Sequence, residues 1–248
     1  MKLSVITACF NSQSTIRETL QSVIGQDYSD VEYIVVDGGS SDATLDIINE
    51  YKKSITTLIS EPDAGIYDAL NKGINAATGD LVGFMHSDDT FANSGVLTAI
   101  AKSAAGYDAV YGDLDYVSQN NPGKVIRHWR SREFNPTLLR RGWMPAHPSL
   151  YLRRNVYMEL GGFDLEFRIA ADYESILRYF SQPGFKAKYL PETMVKMKLG
   201  GASNGSLKGV IRKTREDMAA LRKHRIANPW IVLALKNISK VPQFLKMK

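Results

Sequence analysis

Residues 79–90 read GDLVGFMHSDDT, an apolar strand that runs directly into a polar turn with two adjacent acids, Asp88 and Asp89. Adjacent carboxylates at a strand end are costly unless a positive charge lies close to them. Hard divalent cations prefer oxygen ligands and share them with phosphate groups. The turn therefore predicts a divalent cation that holds the diphosphate of a nucleotide.

On both sides of this stretch, short apolar runs alternate with amphipathic segments. The pattern predicts strands over residues 3–9, 31–36, 55–60, 81–85 and 109–111, and helices over residues 15–25, 42–51, 66–77 and 95–104. Thr15 and Glu18 have the spacing of a capping box at the start of the first helix. Strands that alternate with helices indicate an α/β domain with a mainly parallel sheet and right-handed crossovers.

Polar clusters follow four of these strands at the point where each strand ends. They are Asn11-Ser12, residues 37–40, residues 61–63 and residues 86–89. Ligands of open α/β sheets bind beyond the carboxyl ends of the strands, where such clusters come together. The sequence therefore predicts one binding site at this edge of the sheet.

After about residue 112 the alternation becomes less regular. Residues 113–130 have the pattern of a hairpin with its turn at 120–123, and residues 149–152 that of a strand. A helix is predicted over residues 172–180, a loop over 200–205 and a basic helix over 207–226. We predict a nucleotide-binding half over residues 1–112, an acceptor half over 113–206 and a C-terminal extension over 207–248.

The charge of the chain is unevenly distributed. Residues 208–248 contain eleven Lys and Arg against two acids, a net charge of +9, so the other residues carry −4 of the total of +5. The basic extension includes the apolar segment around Trp230. It is interpreted either as a membrane-surface contact or as a helix packed on the domain with a solvated basic face. The rest of the chain has no basic and aromatic stripe for nucleic acid.

The single cysteine, Cys9, excludes a disulfide within the chain and fits a reducing compartment. No apolar run approaches the roughly 20 residues that a membrane-spanning helix needs. We expect a cytoplasmic protein that attaches, if at all, to the inner face of the membrane.

Four segments together resemble the family 2 glycosyltransferases of the GT-A fold, especially those that build bacterial capsule, exopolysaccharide and O-antigen. They are SVITACFNS (4–12), VDGGSSDAT (36–44), EPDAGIYDALNKGINAATGDLVGFMHSDD (61–89) and HPSLYLRRNVYMELGGFDLEFRIAADYES (147–175). The resemblance covers most of residues 1–180. It implies that a sugar moves from a nucleotide-sugar, with UDP as the expected nucleotide and GDP and dTDP as alternatives, to an acceptor hydroxyl with inversion.

The resemblance also implies roles for individual residues. Asp172 matches the acid proposed as general base, and Asp88 matches the acid that binds Mg²⁺ or Mn²⁺, with Asp89 beside it. The same resemblance matches Asp37 and Asp63 to acids that contact the nucleoside. From their own positions and chemistry, Asn11, Gly38, Asn71 and His147 are likewise predicted to contact the nucleotide-sugar. The basic extension suits an acceptor in the membrane, such as a sugar linked to polyprenyl diphosphate.

Each of these residues also has a plain structural interpretation. Asp88 and Asp89 are compatible with solvated turn acids, Asp37 with an ordinary turn and Asp172 with a helix N-cap. His147 is as compatible with a packed, hydrogen-bonded residue as with a ligand contact. Arg153 and Arg154 are equally compatible with diphosphate contacts and with solvated surface charges.

One position departs from the family pattern, because His86 stands where many relatives carry the first acid of the metal-binding motif. The departure keeps open a catalytically inactive scaffold that binds nucleotide-sugars in a polysaccharide assembly complex. A sugar nucleotidyltransferase is disfavoured, since no phosphate loop rich in Gly and basic residues follows the first strand.

Overall fold

The computed structural model describes residues 1–119, 121–198, 207–239 and 243. The strands are β1 (Leu3–Cys9), β2 (Val31–Asp37), β3 (Thr57–Ser60), β4 (Leu81–Phe84), β5 (Thr90–Phe91), β6 (Ala109–Ser118), β7 (Asn121–Trp129), β8 (Leu150–Arg153) and β9 (Ala187–Lys198). The helices are α1 (Ile16–Ile24), α2 (Thr44–Glu50), α3 (Ile66–Ala76), α4 (Val96–Ser103), α5 (Arg154–Leu160), α6 (Ala171–Phe180), α7 (Leu207–Lys223) and α8 (Pro229–Ile238). Short 3₁₀ turns cover Lys52–Ser54, Pro136–Arg141 and His147–Ser149.

The strands form one mixed sheet in the order β3-β2-β1-β4-β8-β6-β9-β5, with β7 paired to β6. The first half is parallel, since β1 pairs in parallel with β2 and β4, and β2 pairs in parallel with β3. Strand β8 is antiparallel to both of its neighbours, β4 and β6, and β9 returns parallel to β6. The predicted α/β fold with a mixed sheet flanked by helices is confirmed.

Helices cover both faces of the sheet and enclose two apolar cores. Alternating residues of β1 belong to opposite cores: Ile6 and Ala8 pack with α3, α6, α7 and α8, and Leu3 and Val5 pack with α1 and α4. Helix α3 lies very close to β1 because Gly73 faces Ile6, where an added Cβ would stand 2.4 Å from Cγ2. This close packing holds the loop before α3 against the end of β1.

Most elements predicted for the first 112 residues are confirmed, with ends shifted by at most two residues, except that β6 continues past residue 111 to Ser118. The capping box predicted at Thr15 is wrong, because no side chain caps α1 and the Glu18 carboxylate binds the Lys198 ammonium at 2.5 Å. The hairpin over residues 113–130 is confirmed, but Asn121 already belongs to β7. The predicted loop over 200–205 lies outside the described residues.

The C-terminal helices pack against the sheet domain, mainly through α6. The Glu174 carboxylate of α6 is fully buried and binds Arg178 at 2.8 Å, His224 at 2.8 Å and Lys223 at 3.2 Å. Burial acts to raise the pKa of Glu174, but the hydrogen bonds from His224 and Arg178 outweigh it and lower the pKa to about 2. This charged network joins the start of the basic extension to the domain.

Helix α8 is held in the same way by a buried ion pair. The Lys236 ammonium, only 3% exposed, lies 2.8 Å from Asp217 of α7 and over the ring of Tyr173. The packed-helix interpretation of the extension therefore holds for one side of α8. The boundary predicted at residue 206 lies outside the described residues and stays a prediction. No helix among the described residues has the length and apolar character needed to cross a membrane.

Candidate active site

An open cavity of about 460 Å³ lies at the carboxyl edge of the parallel strands. Loops after β1, β3 and β4 meet there with the ends of β6 and β9. The lining residues include Asn11, Ser12, Thr15, Asp63, Gly65, Ser87, Asp88, Gln119 and Lys198. Three of the four polar clusters predicted to converge therefore contribute to one cavity, as expected for the carboxyl edge of an open α/β sheet.

The loop after β1 forms the wall nearest α1. Asn11 has a left-handed backbone with φ of 49°, which Asn tolerates better than most residues, and its Oδ1 accepts the Ser41 N–H at 2.9 Å. Ser12 and Ser87 join this loop to the loop after β4 through hydroxyls that lie 2.9 Å apart. These bonds fix the strand ends and leave a wall lined by polar atoms.

The fourth cluster, at Asp37, lies behind the cavity and supports it. The Asp37 carboxylate is fully buried and accepts hydrogen bonds from the hydroxyls of Ser40 at 2.5 Å and Ser60 at 2.8 Å. Gly38 lets Asp63 approach, because an added Cβ at Gly38 would stand 2.3 Å from Asp63 Oδ2. Asp63 itself reaches the cavity and accepts the Gly65 N–H at 2.8 Å.

The two acids of the β4 turn have different surroundings. Asp88 lines the cavity, whereas Asp89 is fully buried and its Oδ1 accepts the Lys198 backbone N–H at 3.3 Å. Burial, with Asp88 as a second cause, raises the pKa of Asp89 well above its usual value. Its Oδ2 has no partner among the described residues. The observed contacts of Asp89 join the turn to β9.

Asp172 lies in the first turn of α6. Burial lowers the pKa of His86, and the charges of Asp88 and Asp172 both oppose that effect. The two carboxylates therefore act electrostatically on one imidazole. Asp172 does not belong to the lining of the cavity, and its role as general base stays a prediction.

Four of the six residues predicted to contact the nucleotide-sugar lie outside the cavity lining: Asp37 and Gly38, described above, and Asn71 and His147. Both amide atoms of Asn71 bind the backbone of Phe163, with Nδ2 donating to O at 2.8 Å and Oδ1 accepting from N at 2.7 Å. His147 is buried, stacks on Phe84 at 5.1 Å and lies 6.1 Å from His86 between ring centroids. Burial lowers the pKa of His147 to about 4, so its imidazole is neutral near pH 7.

The structure adds residues that the sequence analysis did not assign to the site. Lys198, at the end of β9, is the single cation among the described residues that line the cavity. Cys9 also lines it, and burial together with Asp37 raises the pKa of its thiol to about 12, so the thiol stays protonated. Lys198 is the last residue of β9 and precedes the predicted Gly-rich loop over residues 200–205. This position beside a loop is the sequence signal from which Lys198 could have been assigned to the site.

The donor set at the β4 turn fits a divalent cation shared with a diphosphate. Within the described part of the chain, no three His, Cys, Asp or Glu side chains form a metal-binding cluster. Asp88 offers one carboxylate on the cavity surface, and Mg²⁺ in such sites takes one or two protein carboxylates with phosphate oxygens and water. Asp88 is the acid of the two that faces the cavity, and the roles of Asp88 and Asp89 as metal ligands both stay predictions.

The fold and the cavity agree with the comparison to known families. The sequence model described as glycosyl transferase family 2 matches residues 4–160, more than half of the chain. This chain belongs to that family. The family 2 glycosyltransferase thus contains Asn11, Asp63 and Asp88 within the matched segment, whereas Asp172 and Lys198 follow it.

Two relatives illustrate the range of the family. The PGL/p-HBAD biosynthesis glycosyltransferase of Mycobacterium bovis (strain BCG / Pasteur 1173P2) is 29% identical over 208 residues, which cover 81% of this chain and 78% of the relative. The GalNAc(5)-diNAcBac-PP-undecaprenol beta-1,3-glucosyltransferase of Campylobacter jejuni is 31% identical over 127 residues, which cover 50% of this chain and 41% of the relative.

Solved structures share the fold at lower identity. TarS 1-349 of S. aureus in complex with UDP superposes with a TM-score of 0.69 at 21% identity and covers 100% of this chain and 76% of its own. The mannosyltransferase PcManGT from Pyrobaculum calidifontis, in complex with GDP-Man and Mn²⁺, superposes with a TM-score of 0.68 at 20% identity, covering 98% and 73%. These similarities establish the GT-A architecture of this glycosyltransferase.

Proposed function

We propose that this glycosyltransferase moves a sugar from a UDP-sugar to the hydroxyl of a glycan or lipid-linked sugar acceptor, with inversion. The observation that carries the proposal is the convergence of Asn11, Asp63, Asp88 and Lys198 on one cavity. Asp172 is proposed as the base from the family resemblance, supported by its electrostatic effect on His86, which lies near Asp88 in sequence. Polar groups for a nucleoside, an acid for a divalent cation and a base for a hydroxyl are the parts that this chemistry requires.

In the proposed reaction the acceptor oxygen attacks the anomeric carbon of the donor. The bond from that carbon to the diphosphate breaks, UDP leaves with the bonding electrons, and the acceptor proton moves to the Asp172 carboxylate. Inversion follows because one displacement occurs, on the face opposite the leaving group.

The leaving diphosphate gains negative charge as the bond breaks. Lys198 lines the cavity, and its ammonium is paired with the carboxylate of Glu18, a side chain 57% exposed. We propose that the Lys198 ammonium also supports binding of the diphosphate. Mg²⁺ or Mn²⁺ held by Asp88 would stabilise the same charge when bound. The metal is proposed from the family resemblance and from the fit of Asp88.

The acceptor is proposed to be a sugar linked to polyprenyl diphosphate in the synthesis of a bacterial surface polysaccharide. The support comes from the Campylobacter jejuni relative, whose name gives a polyprenol-linked glycan as its acceptor, and from the basic extension. A surface polysaccharide built on a lipid carrier requires transfer at the membrane. There the basic and apolar side chains of the extension would bind the bilayer surface.

A donor screen tests the proposed reaction. The full chain is incubated with UDP-glucose, UDP-galactose, UDP-GlcNAc, GDP-mannose and dTDP-glucose, each with and without Mn²⁺, and the released nucleotide is measured. We expect release from one UDP-sugar to exceed release from the other donors by about tenfold or more, since pocket contacts discriminate by roughly 1–3 kcal/mol. Nucleotide binding without any turnover, in the presence of lipid extracts, would favour the inactive scaffold.

We also propose that the exposed side of α8 binds an anionic membrane surface. Trp230, Ile231 and Ile238 are 67%, 59% and 63% exposed, while Val232 and Leu233 on the other side are buried in the domain. The exposed basic residues of α7 and of the turn that follows it are Arg212, Arg215, Arg222, Lys223 and Arg225. An apolar helix side with Trp, accompanied by basic residues, suits the interface of a bilayer that contains acidic lipids.

Substitution of the exposed side of α8 tests the membrane proposal better than truncation, which would also remove buried Val232 and Leu233 and uncover the surface against which they pack. The double variant Trp230→Gln/Ile238→Gln is expected to bind vesicles of phosphatidylglycerol at least about tenfold more weakly, because two apolar side chains no longer leave water. The control replaces Met158 and Leu165, which are 48% and 50% exposed on other elements, by Gln. Equal flotation of both double variants would contradict the proposal, as would equal binding to neutral phosphatidylcholine.

A further inference from the structure

The backbone just before α6 is held from two sides by side chains of distant elements. Glu216 of α7 accepts two backbone N–H groups through Oε2, from Ile169 at 2.7 Å and from Ala170 at 2.9 Å. Tyr67 of α3 donates its hydroxyl to the carbonyl oxygen of Ile169 at 2.9 Å. One short segment is thereby joined both to the donor half of the sheet domain and to the C-terminal extension.

This arrangement supplements the hydrogen bonding at the start of α6. The N-cap residue of α6 is Ala170, which has no side-chain oxygen, and within the helix Asp172 Oδ1 accepts the Tyr173 N–H at 2.7 Å. The first N–H groups of a helix need acceptors, and a carboxylate near them also interacts favourably with the helix dipole. Glu216 supplies that acceptor and that charge from another helix.

The other contacts of Glu216 indicate that its main role is to bind the backbone N–H groups before α6. Among the ion pairs of the described residues, none involves Glu216. Its neighbour Asp217 is buried and binds Lys236 at 2.8 Å and Lys213 at 3.1 Å. Adjacent acids of α7 therefore have separate functions, since Asp217 joins α7 to α8 and Glu216 binds the backbone before α6.

Asp172 is the second residue of α6, so its direction follows from the backbone that Glu216 and Tyr67 hold. We propose that Glu216 is a positioning residue for sugar transfer, which fixes the first turn of α6 and thereby aims the Asp172 carboxylate at the acceptor hydroxyl. The inference rests on the proposed function, in which Asp172 receives the proton. It makes α7 part of the catalytic unit, although α7 lies outside the segment matched by the family.

The test compares Glu216→Ala and Glu216→Gln in the full chain with Lys223→Ala as a matched control. Lys223 also joins α7 to the domain, through Asp164 at 2.5 Å and Glu174 at 3.2 Å, but it makes no ion pair or hydrogen bond to the described residues Ile169 and Ala170, whose N–H groups Glu216 binds. The readouts are kcat and donor KM for UDP release from the preferred UDP-sugar, the Kd of UDP and the melting temperature. For Glu216→Ala we expect kcat to fall about 10- to 100-fold with KM and Kd unchanged, because small misplacements of a catalytic group cost that much.

Glu216→Gln retains an acceptor oxygen and is expected to keep kcat within about threefold of the wild type. Lys223→Ala should lower the melting temperature without the loss of kcat. If Glu216→Ala does not fold, Tyr67→Phe loosens the same segment from the other side and should also lower kcat selectively. A kcat for Glu216→Ala equal to that of Lys223→Ala, or a rise in KM at unchanged kcat, would overturn the inference.

Asp172→Asn separates failure of this inference from failure of the proposed function. Turnover retained in Asp172→Asn would remove the base assignment, and the positioning role with it. An inactive Asp172→Asn together with a fully active Glu216→Ala would overturn the positioning role alone. If both proposals hold, Glu216→Ala adds no further loss to the Asp172→Asn enzyme, since residues that act as one unit are not additive.

Discussion

Asp172→Asn is expected to lower the rate of sugar transfer by about 10² to 10⁴-fold, the usual contribution of a positioned general base. The acceptor hydroxyl must lose its proton as it attacks, and an amide cannot receive it. The substitution is nearly isosteric, and Asn retains the Oδ1 atom that accepts the Tyr173 N–H at 2.7 Å. The loss should therefore come from chemistry and not from a rearranged helix.

The affinity for the nucleotide should stay within about twofold in the same variant. Asp172 is absent from the lining of the cavity, where Asp63 and Asp88 lie. Calorimetric titration with UDP and Mn²⁺ measures the affinity, and release of UDP in the presence of acceptor lipid measures turnover. A change in nucleotide affinity equal to the change in rate would mean that Asp172 acts in donor binding.

A control variant tests whether the loss of rate is specific to Asp172. Asp164→Asn removes a carboxylate that binds Lys223 at 2.5 Å, near the same helices but outside the site. We expect this variant to transfer sugar at close to the wild-type rate. Turnover of Asp172→Asn at a similar rate would leave Asp172 with the structural interpretation, an acid in the first turn of a helix.

The first half of the fold was predictable because its signals are local. Strand β1 is a short, predominantly apolar run, and α3 repeats its apolar residues Leu70 and Ile74 at helical spacing. Strand β9 was not predicted. Its sequence AKYLPETMVKMK contains Pro191 and charged residues, and its pairing with β6 shifts register near Asp113. Irregular pairing of that kind leaves no regular alternation to detect.

The site residues differ in the same way: some follow from local sequence signals, and others come together only through contacts between distant parts of the chain. Asp63 and Asp88 were placed correctly at the cavity because each follows a recognisable strand of a parallel sheet. Lys198 reaches Asp89 across 109 positions of sequence, and only the tertiary structure brings them together. Asn71 was predicted from its position on the helix before β4, and its hydrogen bonds to the backbone of Phe163 are visible only once the loop after α5 is placed.

Asp88→Asn is expected to remove the part of UDP affinity that depends on Mn²⁺. In the wild-type protein we expect UDP to bind about 10- to 100-fold more tightly with Mn²⁺ than without it, as for other metal-bridged ligands. An amide is a poorer ligand than a carboxylate for a hard cation, so the variant should bind UDP with nearly the same Kd in both conditions. Transfer should fall at least about 10²-fold, since the leaving diphosphate loses its main counter-charge.

Lys198→Met provides the comparison that identifies the metal ligand. Lys198 lines the same cavity, and its substitution removes a permanent charge instead of a metal ligand. We therefore expect UDP to bind more weakly by a similar factor with and without Mn²⁺. Both Asp88→Asn and Lys198→Met should weaken UDP binding in the presence of Mn²⁺. They should differ in the ratio of the UDP affinity with Mn²⁺ to the UDP affinity without it.

Asp89→Asn completes the comparison, because the sequence predicted both acids as metal ligands. Asp89 is fully buried and contacts the backbone of Lys198, so the variant should lower the melting temperature while the effect of Mn²⁺ on UDP affinity persists. If Asp89→Asn abolishes the effect of Mn²⁺ and Asp88→Asn does not, the roles of the two acids are reversed. An unchanged effect in both variants would place the negative diphosphate against Lys198 and the α1 end of the cavity, without a metal bound to this turn.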